Sequence, residues 1–245
     1  MEQSPAIPYN RISLFFVLIL AFITWGFYKT YIVFFPSFTG FNYLQHFHGA
    51  MMMTWMAFLI VQPLLIRSGK TNIHRMIGKL SYIIAPLLMV SIFLVARMVY
   101  LRVEPTVPAV EKIGLIALSI PDLVAFGVLY ALAIFNRQNS YLHMRYMIGT
   151  SLLMIAPGLG RALIIYYGQS LDKAVNVTNY IAIGIAAALL LNDILKRRYY
   201  IPFTVVLIVV GFTHLMWELR LTQLWQPIGR AIASIFNDRF FKTVC

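Results

Sequence analysis

Long apolar runs separated by short polar stretches dominate this chain. A helix crossing the hydrocarbon layer of a bilayer needs about 20 mostly apolar residues, and the pattern predicts about seven such spans, at roughly 11–34, 42–66, 73–98, 112–136, 141–167, 176–195 and 200–219. The linkers are short, apart from 102–111, where Pro105 and Pro108 mark an irregular loop. After the last span, residues 221–241 set Trp225, Ile228, Ile232, Ile235 and Phe236 against Arg230, Asp238 and Arg239. That spacing predicts an amphipathic helix lying in the interface, because Arg230 would fall near the middle of an eighth span. No linker is long enough for a second domain and no internal repeat is evident. Residues 1–245 therefore read as one all-α integral membrane domain, a polytopic helix bundle.

Composition agrees with the pattern. The 245 residues are 60% hydrophobic and 11% charged, with a mean hydropathy of +0.78. Soluble domains carry about 25% charged residues, so the deficit argues independently for the membrane. The formal charge is +12, from 20 Lys and Arg against 8 Asp and Glu. These cations punctuate the ends of apolar segments, as topology signals and contacts to anionic headgroups do, and no nucleic-acid-binding module accompanies them. Arg11, Arg67, Lys70, Arg75, Lys79, Arg137, Arg145, Lys196, Arg197 and Arg198 share one side of a seven-span topology. The positive-inside rule then predicts a multi-pass protein of the cell membrane, the inner membrane in a bacterium, with a cytoplasmic N-terminus. Cys245 is the single cysteine, which excludes an internal disulfide and a Cys-ligated metal centre, and the first run lacks the small-x-small site of a cleavable signal.

Polar residues inside such spans mark where function is to be sought. His74 and His143 fall at the cytoplasmic edge of the predicted bundle, and His46, His48 and His214 near the opposite edge. In span five, His143, Met147, Thr150, Met154, Gly158 and Arg161 form one helical stripe, with Pro157 predicted to bend the helix. Span two carries a parallel stripe of Gln45, His48, Met52, Trp55, Leu59 and Gln62. Gly78, one turn after His74, permits either a flat ligand or a close helix neighbour, the second being commoner in membranes. Asp122 and Arg161 are the costliest residues by position, and a structural ion pair between them is the first expectation, with Arg161 as an anion ligand the alternative.

The segments His48-Gly49-Ala50, Gln62-Pro63, His74-Arg75-x-x-Gly78 followed by Tyr82, and His143-x-Arg145-Tyr146-Met147 followed by Arg161 resemble a family of bacterial multi-span proteins. That family is known as a predicted-membrane-protein domain of unknown function. Its signature is H-R-x-x-G-x-x-Y in one helix, and H-x-R-W-M with a later Arg in another. Tyr146 stands here for the Trp. The resemblance covers spans two to five and implies a membrane location and fold. A weaker similarity extends to transmembrane b-type cytochromes and ferric-reductase-like proteins, whose helices clamp haem between histidines.

Three readings stay open. A b-type haem for electron transfer across the membrane would use His74 with His143, near Arg75, Lys79 and Arg145, and a second pair of His48 with His214, near Arg161 and Arg97. A redox partner or quinone would then be expected. A copper or zinc site would use His46, His48 and His214, with Met51, Met52, Met53 and Met56 nearby, although the i,i+2 spacing of the first two lacks one-face geometry. A non-enzymatic protein binding a lipid or small molecule would use the same residues as headgroup contacts and interhelical hydrogen bonds. Transport finds no inverted repeat, and Pro121 and Pro157 are the only signs of broken helices. Phosphate-binding glycine loops and nucleophile–histidine catalytic motifs are absent.

Overall fold

The computed structural model describes residues 9–237. Among these residues the protein is helical and without strands. Seven stretches are long and apolar enough to cross a membrane: Tyr9–Tyr28, Tyr43–Arg67, Ser81–Arg102, Ala109–Phe135, Ser140–Tyr167, Leu171–Leu195 and Ile201–Leu221. The first, second and third are the helices α1 (Tyr9–Tyr28), α2 (Tyr43–Arg67) and α4 (Ser81–Arg102). A short helix, α3 (Thr71–Gly78), separates the second and third.

That short helix corrects the predicted third span, which begins at Ser81 and not at 73. Ile73, Met76, Ile77 and Leu80 recur at i, i+3, i+4 and i+7, opposite His74, Arg75 and Lys79, so α3 is amphipathic and belongs at a surface. Averaged hydropathy merges it with the apolar run that follows. The start of α2 is a reciprocal cap: the Asn42 side chain accepts from the Gln45 N–H, and the Gln45 side chain accepts from the Asn42 N–H, both at 3.0 Å. Gln45 thus serves the helix end and not the inward stripe.

The fourth and fifth spans are each broken. The fourth runs as α5 (Ala109–Gly114), a tight turn over Leu115–Leu118, and then α6 (Ile120–Phe135), which restarts at Pro121. The fifth runs as α7 (Ser140–Leu152), a wide π-helical segment Ala156–Gly160, and α8 (Arg161–Tyr167). The bend expected at Pro157 is this segment: proline has no N–H to offer the Leu153 carbonyl and its ring crowds the preceding turn. Helices α9 (Leu171–Leu195) and α10 (Ile201–Glu218) complete the spans.

The fifth span sits at the centre, against α1, α6, α9 and α10. Trp55, Phe16, Phe126, Leu129, Leu152, Val206 and Val210 are fully buried in the core around it. Gly26 and Gly158 let α1 cross the wide segment in backbone contact. A Cβ on Gly26 would collide with the Gly158 carbonyl, and one on Gly158 would lie 2.7 Å from the Ile23 Cα. Leu14, Leu18, Ile83, Val90, Ile208 and Leu215 are exposed on the outside, as a lipid-facing surface requires.

Helix α11 (Gln226–Phe236) is the amphipathic segment expected after the last span. Trp225, Ala233 and Phe236 pack on Ala96, Ile113 and Ala117, while Ile228 and Ile235 face outward. The remainder of that expected helix, including Asp238 and Arg239, and Cys245 lie outside the described residues.

Candidate functional site

Contacts between helix ends sort the bundle into two faces. One gathers the end of α2, all of α3, the α6–α7 turn and the α9–α10 turn; it carries Arg67, Lys70, Arg75, Lys79, Arg137 and Lys196–Arg198 and is called the basic face below. The opposite face gathers the α1–α2 loop, the end of α4, α8 and α11.

At the basic face, α2, α3 and α7 bring Gln62, His74 and His143 together. With its amide oriented so that both ends are satisfied, Gln62 donates from its NH2 to His74 Nδ1 and to the His74 carbonyl (3.3 Å), and its oxygen accepts from the Gly78 N–H at 3.3 Å. His143 Nδ1 lies 2.9 Å from the Ala133 carbonyl. His143 is close enough for its charge to act on His74: burial first, then His143, with Arg75 adding to it, hold the His74 imidazole below its usual 6.5.

These bonds assign opposite tautomers to the two rings. A carbonyl only accepts, so His143 donates from Nδ1 and leaves a lone pair on Nε2. Gln62 donates to His74 Nδ1, so the neutral His74 carries its proton on Nε2. One imidazole offers a donor and the other an acceptor. Gly78 contributes room, since the nearest atom to a Cβ built there is the Gln62 side-chain amide at 4.0 Å. The close helix neighbour allowed for Gly78 is not found there, whereas Gly26 and Gly158 do meet a neighbouring helix at close range. Deeper between the helices, the Ser81 hydroxyl bonds the Gly78 carbonyl (2.6 Å) and the Tyr130 hydroxyl (3.0 Å). Trp55 packs edge-on against Phe126 and Tyr130, fully buried, and its indole N–H has no partner.

The other expected site residues are placed differently. Arg145 is engaged by a carboxylate of the protein itself. Its Nε and Nη2 bond both oxygens of Asp193 at 2.7 and 2.8 Å, its guanidinium lies against the Tyr141 and Phe203 rings, and both ionic side chains are buried. Tyr141 donates to the same carboxylate at 3.3 Å. Among the described residues the buried ion pair is therefore Arg145–Asp193 and not Asp122–Arg161. Arg161 is exposed at the opposite face, donating to Thr30 at 3.1 Å and stacking on Phe27. Arg97 ties down α11, its Nε donating to the Phe236 carbonyl at 2.8 Å.

His48 and His214 are not brought together either. His48 bonds Ser91 of α4 at 3.0 Å, and His214 lies 3.5 Å from the Asn179 amide of α9 and against the Tyr180 ring. His46 is bonded to the Tyr31 hydroxyl at 2.5 Å inside a box of Phe38 and Phe41, where it fastens the α1–α2 loop. Among the described residues no three His, Cys, Asp or Glu side chains converge as a metal site, and His46, His48 and His214 each meet different neighbours.

Sequence reasoning missed Asp193, Asn179 and Thr213. An acid near the basic end of an apolar span was a signal for Asp193; Asn179 and Thr213 carried none, since both residue types are common in membrane helices. No protein-family model matches the chain, and neither a curated protein nor a solved structure matches it.

Proposed function

We propose that this integral membrane protein binds a lipid-soluble ligand with paired carbonyl or hydroxyl oxygens, a quinone-type head group, at the basic face between His74 and His143. The opposed hydrogen-bonding polarity of the two imidazoles carries the reading. His74 Nε2–H suits a carbonyl oxygen and the His143 Nε2 lone pair suits a hydroxyl. Each partner is held in its tautomer by a second hydrogen bond, as Gln62 does for His74 and the Ala133 carbonyl for His143. Access from the bilayer is supported by α3 and the start of α4, where Met76, Leu80, Tyr82 and Ile83 are exposed beside the mouth. On this reading the basic face is cytoplasmic, because its cations follow the positive-inside rule.

Haem is the second reading, favoured by the His143 Nε2 lone pair on a face that also carries Arg75 and Lys79. Bis-histidine ligation needs a lone pair on both Nε2 atoms, and His74 lacks one while Gln62 donates to its Nδ1. The residues present therefore fit an axial ligand at one position of the two.

The test is a titration of purified protein with a short-chain benzoquinone and its quinol, beside a reduced-minus-oxidised absorption spectrum. Saturable binding, weakened about tenfold in His74→Gln and in His143→Gln, is the expected result, each substitution disturbing one hydrogen bond worth about 1 kcal/mol. Affinity unchanged in both variants refutes the reading. A sharp b-type α-band at stoichiometric haem replaces it with the second.

A further inference from the structure

The two broken spans meet in the middle of the bundle, away from His74 and His143. Their breaks flank a cavity of about 10 Å³, near the lower limit for one water-sized occupant. Asp122, Asn179 and Thr213 line it, with Leu152, Leu153 and Ala156 from the end of α7 and the start of the wide segment. Asp122 stands in the first turn of α6, where the positive end of the helix favours a carboxylate. Leu152 is the last residue of α7, whose terminal carbonyls form a negative end, and Pro157 denies the Leu153 carbonyl its usual donor.

The polar groups lining this space carry more acceptors than donors. The Thr213 hydroxyl lies in hydrogen-bonding reach of both the Val210 carbonyl, at 3.0 Å, and Asp122, so its single proton serves two acceptors. The Asn179 amide turns its NH2 toward His214 (3.5 Å), which leaves its oxygen for the cavity. Among the described residues the ion pairs are Arg145–Asp193 and Arg220–Asp172, and neither involves Asp122. A carboxylate short of donors inside a bilayer takes up either a proton or a cation, and the ends of broken helices are where membrane proteins supply oxygen ligands to small cations.

We propose that Asp122, Thr213 and Asn179, with the carbonyl end of α7, form an intramembrane site for one sodium ion. A space the size of one water favours the smaller alkali cation over potassium. The carboxylate supplies the charge, and the neutral oxygens complete the shell as the hydration waters leave. The site joins the fourth, fifth, sixth and seventh spans at the two breaks, so occupancy stabilises the packing of the broken half-helices.

The experiment is thermal unfolding of the detergent-purified full chain at pH 8 in NaCl, KCl or choline chloride of equal ionic strength. The expected result is a saturable rise in Tm with NaCl alone, several degrees once sodium exceeds its Kd by about a hundredfold. Asp122→Asn should abolish the rise, and Thr213→Val should move its half-point to about tenfold higher sodium. Wild-type protein with one Tm in all three salts overturns the proposal and leaves Asp122 a protonated hydrogen-bonding residue. An unchanged sodium response in Asp122→Asn overturns it too. If Asp122→Asn fails to fold, the Thr213→Val half-point decides, and an unshifted one overturns the site.

Discussion

Replacing Asp193 by Asn leaves the buried Arg145 guanidinium without its counter-charge, and this is the substitution the structure predicts to cost most. Arg145 and Asp193 share two hydrogen bonds, at 2.7 and 2.8 Å, and both side chains are buried between α7 and α9. The remaining support for Arg145 is the Tyr141 carbonyl at 3.3 Å and two aromatic faces. Hydrogen bonds to charged groups contribute about 1.5–3 kcal/mol each, so two sum to about 3–6 kcal/mol. Removing one partner of a buried pair costs about 3–5 kcal/mol by an independent route. At roughly 2–4 °C per kcal/mol for a chain of this size, Tm should fall by about 6–20 °C. The assay is thermal unfolding in detergent, followed by loss of monodisperse protein or by circular dichroism. The double variant Arg145→Met/Asp193→Leu should recover most of the loss, because it removes both charges and keeps apolar volume. A loss below about 1 kcal/mol in Asp193→Asn, or a double variant no better than the single, refutes the argument. Quinone affinity retained in the double variant separates this structural role from the anion-binding role that sequence alone suggests for Arg145.

Other outcomes follow from the same geometry. Because burial and His143 depress the His74 pKa, the fold favours its neutral form: its stabilising share is intact above 6.5 and declines as pH falls below that value, the unfolded chain protonating first. Melting curves between pH 5 and 7.5 should show this acid sensitivity in wild type and a shallower slope in His74→Gln; parallel slopes refute it. Gly158→Ala forces a methyl to within 2.7 Å of the Ile23 backbone and should cost about 1–3 kcal/mol. Gly78→Ala meets nothing closer than 4.0 Å, so a comparable loss of stability there would contradict the open mouth beside His74. The benzoquinone titration tests the basic-face site, and the sodium dependence of Tm tests the Asp122 site. The two are independent, since they use different side chains and different variants.

Much of the basic-face site is legible in the sequence. His74, Gly78 and His143 are singled out by polarity at the ends of apolar runs, and Gln62 by its place on the stripe with His48 and Trp55. The tautomers are not legible, because they depend on what Nδ1 of each ring meets: Gln62 from another helix in one case and the Ala133 carbonyl across a turn in the other. Nor is the fate of the arginines. Arg145 and Asp193 are 48 residues apart, and nothing local distinguishes a cation waiting for a ligand from one already neutralised.

Membrane insertion needs only runs of apolar residues long enough to cross, a property of consecutive residues, so seven spans and an amphipathic end are written in one dimension. The breaks at Pro121 and Pro157 are local too, since a missing N–H is a property of the residue itself. Which polar groups meet is decided by helix packing, where a rotation of one helix exchanges a lipid-facing residue for a buried one. Only the tertiary structure separates Arg161 from Asp122, gives Arg145 to Asp193, sets His48 and His214 against different neighbours, and closes two broken helices around one carboxylate. Burying a polar group without a partner costs several kcal/mol in hydrocarbon, so these pairings are strongly enforced once packing has chosen them.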